Sequence, residues 1–134
     1  MESEQLQRLR AAFGAWNRND LEESLGYMRE DVRWTTAQQL PDLDGVYEGR
    51  EGVRRFFRAF SEPWEEISIT LEQIIDERDS QLFVVVRFVA HGREGIEVDM
   101  PFFQIYRFDD QTKLAEFQSF VDEAEARRAA GLSD

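Results

Sequence analysis

The chain has no cysteine, one histidine and only three prolines in 134 residues. The missing thiol excludes a disulfide framework, a thiol nucleophile and a thiolate metal site, and leaves the compartment open. One histidine and no cysteine leave only carboxylates to hold a metal, and none cluster at a suitable spacing. No metal and no cofactor is expected. Cations are also scarce, with 16 Lys and Arg against 28 Asp and Glu, a formal net charge of −12. A nucleic-acid binder needs a basic footprint to displace counterions from phosphates, so nucleic acid is not an expected partner. The same balance disfavours an anionic membrane surface. No apolar run approaches membrane-spanning length, and the acidic start Met1-Glu2-Ser3-Glu4 is unlike a signal peptide. A cytoplasmic protein is the expectation. There is no internal repeat, linker or low-complexity tract, and the length suits one domain over 1–134.

What is present is a core. Hydrophobic residues make up 42% of the chain, with eleven Phe and three Trp. Leu6, Leu9, Phe13 and Trp16 recur at helical spacing and predict a first helix. Asn17 and Asn19 suit its exit, because their side chains bond local backbone and tolerate left-handed geometry. Asp20 then caps a second helix carrying Leu21, Leu25 and Met28, with Glu23 as an acidic capping-box partner. A short strand follows over 32–36, then a loop over 36–47 long enough to border or cover a cavity. Gly49 to Gly52 opens a third helix with the stripe Val53, Phe56, Phe57 and Phe60, stopped at Pro63. These glycines are too few and wrongly spaced for a nucleotide loop.

The remainder is mostly strand. Ile67, Ile69 and Leu71 alternate with polar residues. A turn is expected over 76–81, and an apolar central strand over 82–90. A hairpin turn spans 91–95, a long strand 97–108, a turn 109–112 and a return strand 113–121. Asp122 caps a last helix with Glu125 as its box partner, and Gly131-Leu132 fits a glycine stop. Helices followed by long antiparallel strands make an α+β layout. Long bulged strands curl around the helices and leave a cone with an open mouth, a common place for a small-molecule pocket.

Alternation picks out the candidate pocket. On the long strand Val98, Met100, Phe102, Gln104, Tyr106 and Phe108 form the more apolar face, so that face should point inward. Gln104 is then an amide in an apolar row, which must bond a neighbour or address a ligand. The following hairpin brings Phe117, Ser119 and Val121 to the same face. Trp34 and Thr36 point inward together, and a buried indole N–H needs a partner. The candidate ligand-binding set is Trp16, Trp34, Thr36, Met100, Phe102, Gln104, Tyr106, Phe117 and Ser119. No triad is visible. Tyr47 and Gln38-Gln39-Leu40 could cover the mouth. A simple two-residue turn would set Arg87 and His91 facing inward. A bulge at Gly95 would instead place them outside, near Glu97 and Asp99.

The order of elements and the strings AWNRNDLEESLGYMREDVRW, GVYEGREGVRRFF, EVDM and FVDEAEARRAAGL resemble a SnoaL-like domain of the nuclear transport factor 2-like superfamily, which also holds steroid delta-isomerase and limonene epoxide hydrolase. The resemblance implies a cone-shaped barrel: a curved, mainly antiparallel sheet wrapped around three N-terminal helices, with a short C-terminal helix. It also implies a homodimer formed through the sheet. Members include isomerases, cyclases, hydrolases and binding domains. The steroid-isomerase Tyr, general base and second acid map to Ala12, Thr36 and Gln104, so none of the three residue types is kept. The hydrolase Arg between two Asp is not found either; Arg87 and Asp99 lie on different strands. Two functions stay open: a cofactor-free isomerase, cyclase or hydrolase acting on an apolar small molecule, or a non-catalytic dimeric binding or protein-interaction module.

Overall fold

A computed structural model describes residues 2–36 and 45–132. The loop residues Gln38, Gln39, Leu40 and Pro41, expected at the mouth, lie outside them.

α1 (Glu4–Asn17) starts at Ser3, whose hydroxyl accepts from the Leu6 N–H, and buries Leu6, Leu9 and Ala15. The left-handed exit falls on Asn19, at φ 64°. Asn17 does something else. Its amide donates to the Ile69 carbonyl at 2.9 Å and accepts from the Ile69 N–H at 3.2 Å, pinning the helix end to a strand. α2 (Leu21–Leu25) is capped by Asp20, which accepts from the Glu23 N–H at 3.1 Å. The Glu23 carboxylate pairs with Arg18 at 2.5 Å, so the expected return arm of the capping box is diverted.

α2 ends earlier than its apolar spacing suggests. Met28 opens β1 (Met28–Thr35), because Tyr27 and Met28 are claimed by strand pairing: the Leu114 N–H donates to the Tyr27 carbonyl at 2.9 Å. A three-residue strand, β2 (Val46–Glu48), has no counterpart in the sequence reading and pairs antiparallel with β1. α3 (Gly49–Ser61) follows at once. Gly49 has φ +73°, and a Cβ there would lie 3.2 Å from the Glu30 carbonyl oxygen. The helix ends before Pro63, as expected.

β3 (Trp64–Arg78) is 15 residues long and runs into the segment expected to turn. Three irregularities in its pairing with β4 (Gln81–Gly92) absorb extra residues, so the turn moves to Asp79-Ser80. β5 (Glu97–Phe108), β6 (Leu114–Phe120) and α4 (Glu123–Ala129) complete the chain. The six strands form one sheet in the order β2-β1-β6-β5-β4-β3, antiparallel except where β1 lies parallel to β6.

Register decides which side chains meet. Gly95, at φ +79°, provides the extra hairpin residue, so Val84 pairs with Gln104 and Ala90 with Val98. Even-numbered residues of β4 and β5 therefore share the inner face. Arg87 lies on the outer face, bonded to Glu72 and Asp99 at 3.0 Å each, and His91 Nδ1 lies 3.2 Å from Glu97. The inner face and α1 to α3 form the main core. Phe83 and Ile105 point the other way and are buried beneath Ala126 and Ala130 of α4. Arg107 fastens that helix with a 2.9 Å bond to the Ala129 carbonyl. No described helix is long and apolar enough to cross a membrane.

Candidate functional site

Three neighbouring strands build the inner wall of a hollow between sheet and helices. Across β1, β6 and β5, Trp34 pairs with Phe117 and Phe117 with Tyr106. Their rings form a continuous aromatic row: Trp34 stacks on Phe117 at 3.9 Å between centroids, and Phe117 lies 5.0 Å from Tyr106. Because side chains repeat every second residue, the next inward row is polar: Thr36, Ser119 and Gln104. All three are buried. Tyr106 donates to Gln104 Oε1 at 2.6 Å, and Gln104 Nε2 donates to Ser119 Oγ at 3.4 Å. The second of these is long, so the amide donor is only weakly engaged.

Trp34 adds an unused donor. Its Nε1 is buried and has no hydrogen-bond partner among the described residues. Such a group costs free energy unless something supplies an acceptor. The side chain is held by Phe56, Phe57 and Phe117, which set its aim.

The cavity is about 80 Å³, smaller than the roughly 300 Å³ at which drug-sized pockets begin. It borders eight of the nine residues of the candidate set: Trp16, Trp34, Thr36, Phe102, Gln104, Tyr106, Phe117 and Ser119. Met100 is the exception. It sits opposite Phe88 and packs against the main core on the hairpin side of Phe102, away from the hollow. The helices contribute residues the strand pattern could not reveal, among them Leu9, Ala12, Phe13, Phe56 and Phe57. Their signal was present as helical spacing around Trp16 and Phe60. What spacing could not show is which of these rings border open space rather than solid core.

Ala12, Thr36 and Gln104, the positions matched to the steroid-isomerase residues, all border this one cavity. They converge without an acid or a base among them. Among the described lining residues Arg8 is the only formally charged side chain, and its Nε is bonded to Glu4 at 3.1 Å. Burial pushes the Tyr106 phenol well above its ordinary range, so it remains a neutral donor. The site can therefore present N–H and O–H groups to an acceptor inside an apolar enclosure. Its described residues include no carboxylate or imidazole able to take a proton. Among the described residues no group of three or more His, Cys, Asp or Glu could hold a metal ion.

Comparison with solved structures shows the same fold. An NTF2-like protein of unknown function from Burkholderia pseudomallei superposes with a TM-score of 0.81 at 24% identity, covering 95% of this chain and 97% of that one. TerC, co-crystallised with polyporic acid, gives 0.81 at 17% identity, covering 94% and 97%. SalBIII, an epoxide hydrolase/cyclase-like enzyme of pyran ring formation in polyether salinomycin, gives 0.72 at 14% identity, covering 90% and 92%. No curated protein matches the chain. The family model for the SnoaL-like domain matches residues 9–117, from within α1 into β6, and so takes in most of the residues that wall the hollow, Ser119 lying just beyond it. The chain belongs to the SnoaL-like domain family.

Proposed function

We propose that this domain binds a compact, largely apolar molecule carrying one hydrogen-bond acceptor, and that it does so without acid–base catalysis. The observation that carries this is the buried Trp34 N–H, unpartnered among the described residues, on a side chain that lines an apolar cavity. A carbonyl, ether or epoxide oxygen reaching that group would remove its desolvation penalty, and the Gln104 amide offers a second donor nearby. The absence of a base among the described lining residues argues against proton abstraction. An enzymatic role of the isomerase, cyclase or hydrolase kind would rest on polarising that oxygen with neutral donors alone. The name of SalBIII and the ligand named with TerC support small-molecule chemistry on this fold, without identifying the molecule here. A homodimer formed through the outer face of the sheet, in the cytoplasm, belongs to the same proposal.

A thermal-shift screen tests it, using small cyclic ketones, terpenoid epoxides, polyketide fragments, fatty acids and steroids. Compact ketones or epoxides are expected to raise the melting temperature, and Gln104→Leu or Trp34→Phe to abolish that rise. No shift with any class would defeat the ligand reading. A shift indifferent to both substitutions would place the ligand elsewhere.

A further inference from the structure

A second concavity lies outside the hollow, on the far side of Trp16 and Phe57. It encloses about 490 Å³, within the range of small-molecule sites. Trp16 and Phe57, with ring centroids 5.5 Å apart, border both spaces, so this pair forms the partition between them. Trp64, at the start of β3, supplies another aromatic wall.

The charges around this cleft are unevenly committed. Arg54 and Glu22 pair through two bonds of 2.8 Å each, and Arg54 also holds Glu51. The bond from Arg54 lowers the pKa of the Glu22 carboxyl, so that pair is closed. Arg58 stands one turn further along α3. It is exposed and makes no ion pair or hydrogen bond among the described residues, although it borders the cleft. Its helix carries Arg50, Arg54, Arg55 and Arg58 against the single acid Glu51. Arg50 is taken up by the Met28 carbonyl and Arg55 lies over the Tyr47 ring, so the cations that reach the cleft are Arg54 and Arg58. Glu65 borders the same cleft and is likewise exposed. The lining charges balance, Arg54 and Arg58 against Glu22 and Glu65, so Arg58 can take one monoanionic group while the two carboxylates repel a dianionic phosphate.

We propose that the cleft is a second binding site, independent of the hollow, for an aromatic monocarboxylate. The carboxylate takes the planar fork of Arg58, whose paired N–H groups match its two oxygens. The ring packs against Trp16, Phe57 and Trp64.

Isothermal titration with 2-naphthoate and its neutral analogue 2-naphthamide tests this on the full chain. Naphthoate is expected to bind and naphthamide to bind more weakly. Arg58→Gln should weaken naphthoate about tenfold through loss of a charge-assisted pair while leaving naphthamide unchanged. Trp64→Phe should weaken both. Gln104→Leu, which alters only the hollow, should alter neither. Circular dichroism checks that each variant is folded. No binding of naphthoate, or binding that ignores Arg58→Gln, overturns the proposal. Loss of binding in Gln104→Leu with retention in Arg58→Gln assigns the ligand to the hollow instead.

Discussion

Gln104 occupies a position where an amide is held by one strong partner and one weak one. Tyr106 donates to it at 2.6 Å, whereas its own bond to Ser119 spans 3.4 Å. Replacing it by leucine strands the Tyr106 hydroxyl in a buried site, at a cost of about 1–3 kcal/mol. Pairing Gln104→Leu with Tyr106→Phe removes both ends of the bond. The double variant should therefore lose less stability in urea melts than the two single losses added together. Tyr106 makes a second prediction at high pH. In the unfolded chain its phenol ionises near pH 10, about the reference value for tyrosine. Burial in the folded state holds the proton on to a higher pH. Above about pH 10 and up to that higher value the native state binds more protons than the unfolded one, so stability present below pH 10 falls as pH rises further. The phenolate absorbance of Tyr106 should therefore appear only with unfolding, and Tyr106→Phe should flatten the alkaline limb of the stability curve. Much of this polar row was legible beforehand. Period-two alternation places Thr36, Gln104 and Ser119 inward without any coordinates. The open Trp34 N–H was not legible, since its state depends on how three phenylalanine rings fix one rotamer.

At the scale of elements, tertiary pairing overrides local pattern where the two compete. Leu21, Leu25 and Met28 share a helical spacing, yet α2 stops at Leu25 because a ladder partner on β6 waits for Tyr27 and Met28. A five-residue helix has little stability of its own. It depends on its start, where Asp20 accepts from the Glu23 N–H, and on Ser24, whose hydroxyl donates to the Ala12 carbonyl at 3.2 Å. Asp20→Ala should cost about 1 kcal/mol. Amide exchange should quicken first across 21–25, because α2 can open locally while the sheet stays paired. β3 misled the sequence reading in the opposite direction. The polar residues from Asp76 onward predict a turn over 76–81, yet Asp76 and Glu77 pair with Phe83 and Leu82. Bulges at Glu72 and Ile75, which the ladder skips, change the face of the side chains while the strand continues. The caps at Asp20 and Asp122 were readable because each depends on a few adjacent residues. The bulges and β2 were not, because they exist only against a partner strand.

At the scale of the molecule, the sheet has two faces with different fates. The inner face is closed by α1 to α3. The outer face is covered by α4 only near Phe83 and Ile105, leaving the stretch around Val89 and Arg87 open on β4. Arg87 is flanked there by two acids, Glu72 and Asp99, so this patch carries a net negative charge, as the chain as a whole does at −12. Two copies meeting through such a patch repel one another both across the contact and at longer range. The proposed homodimer should thus tighten as salt rises from about 0.01 M, where screening reaches only beyond roughly 30 Å, to about 0.15 M, where it acts within about 8 Å. Sedimentation velocity at micromolar concentration should show a dimer at the higher salt and a larger monomer fraction at the lower. Val89→Glu sets a new carboxylate beside Asp99, its partner across the β4–β5 ladder, and should shift the balance to monomer without unfolding the chain. A monomer at both salt concentrations would remove the sheet face as an interface. A dimer indifferent to Val89→Glu would move the interface to another surface.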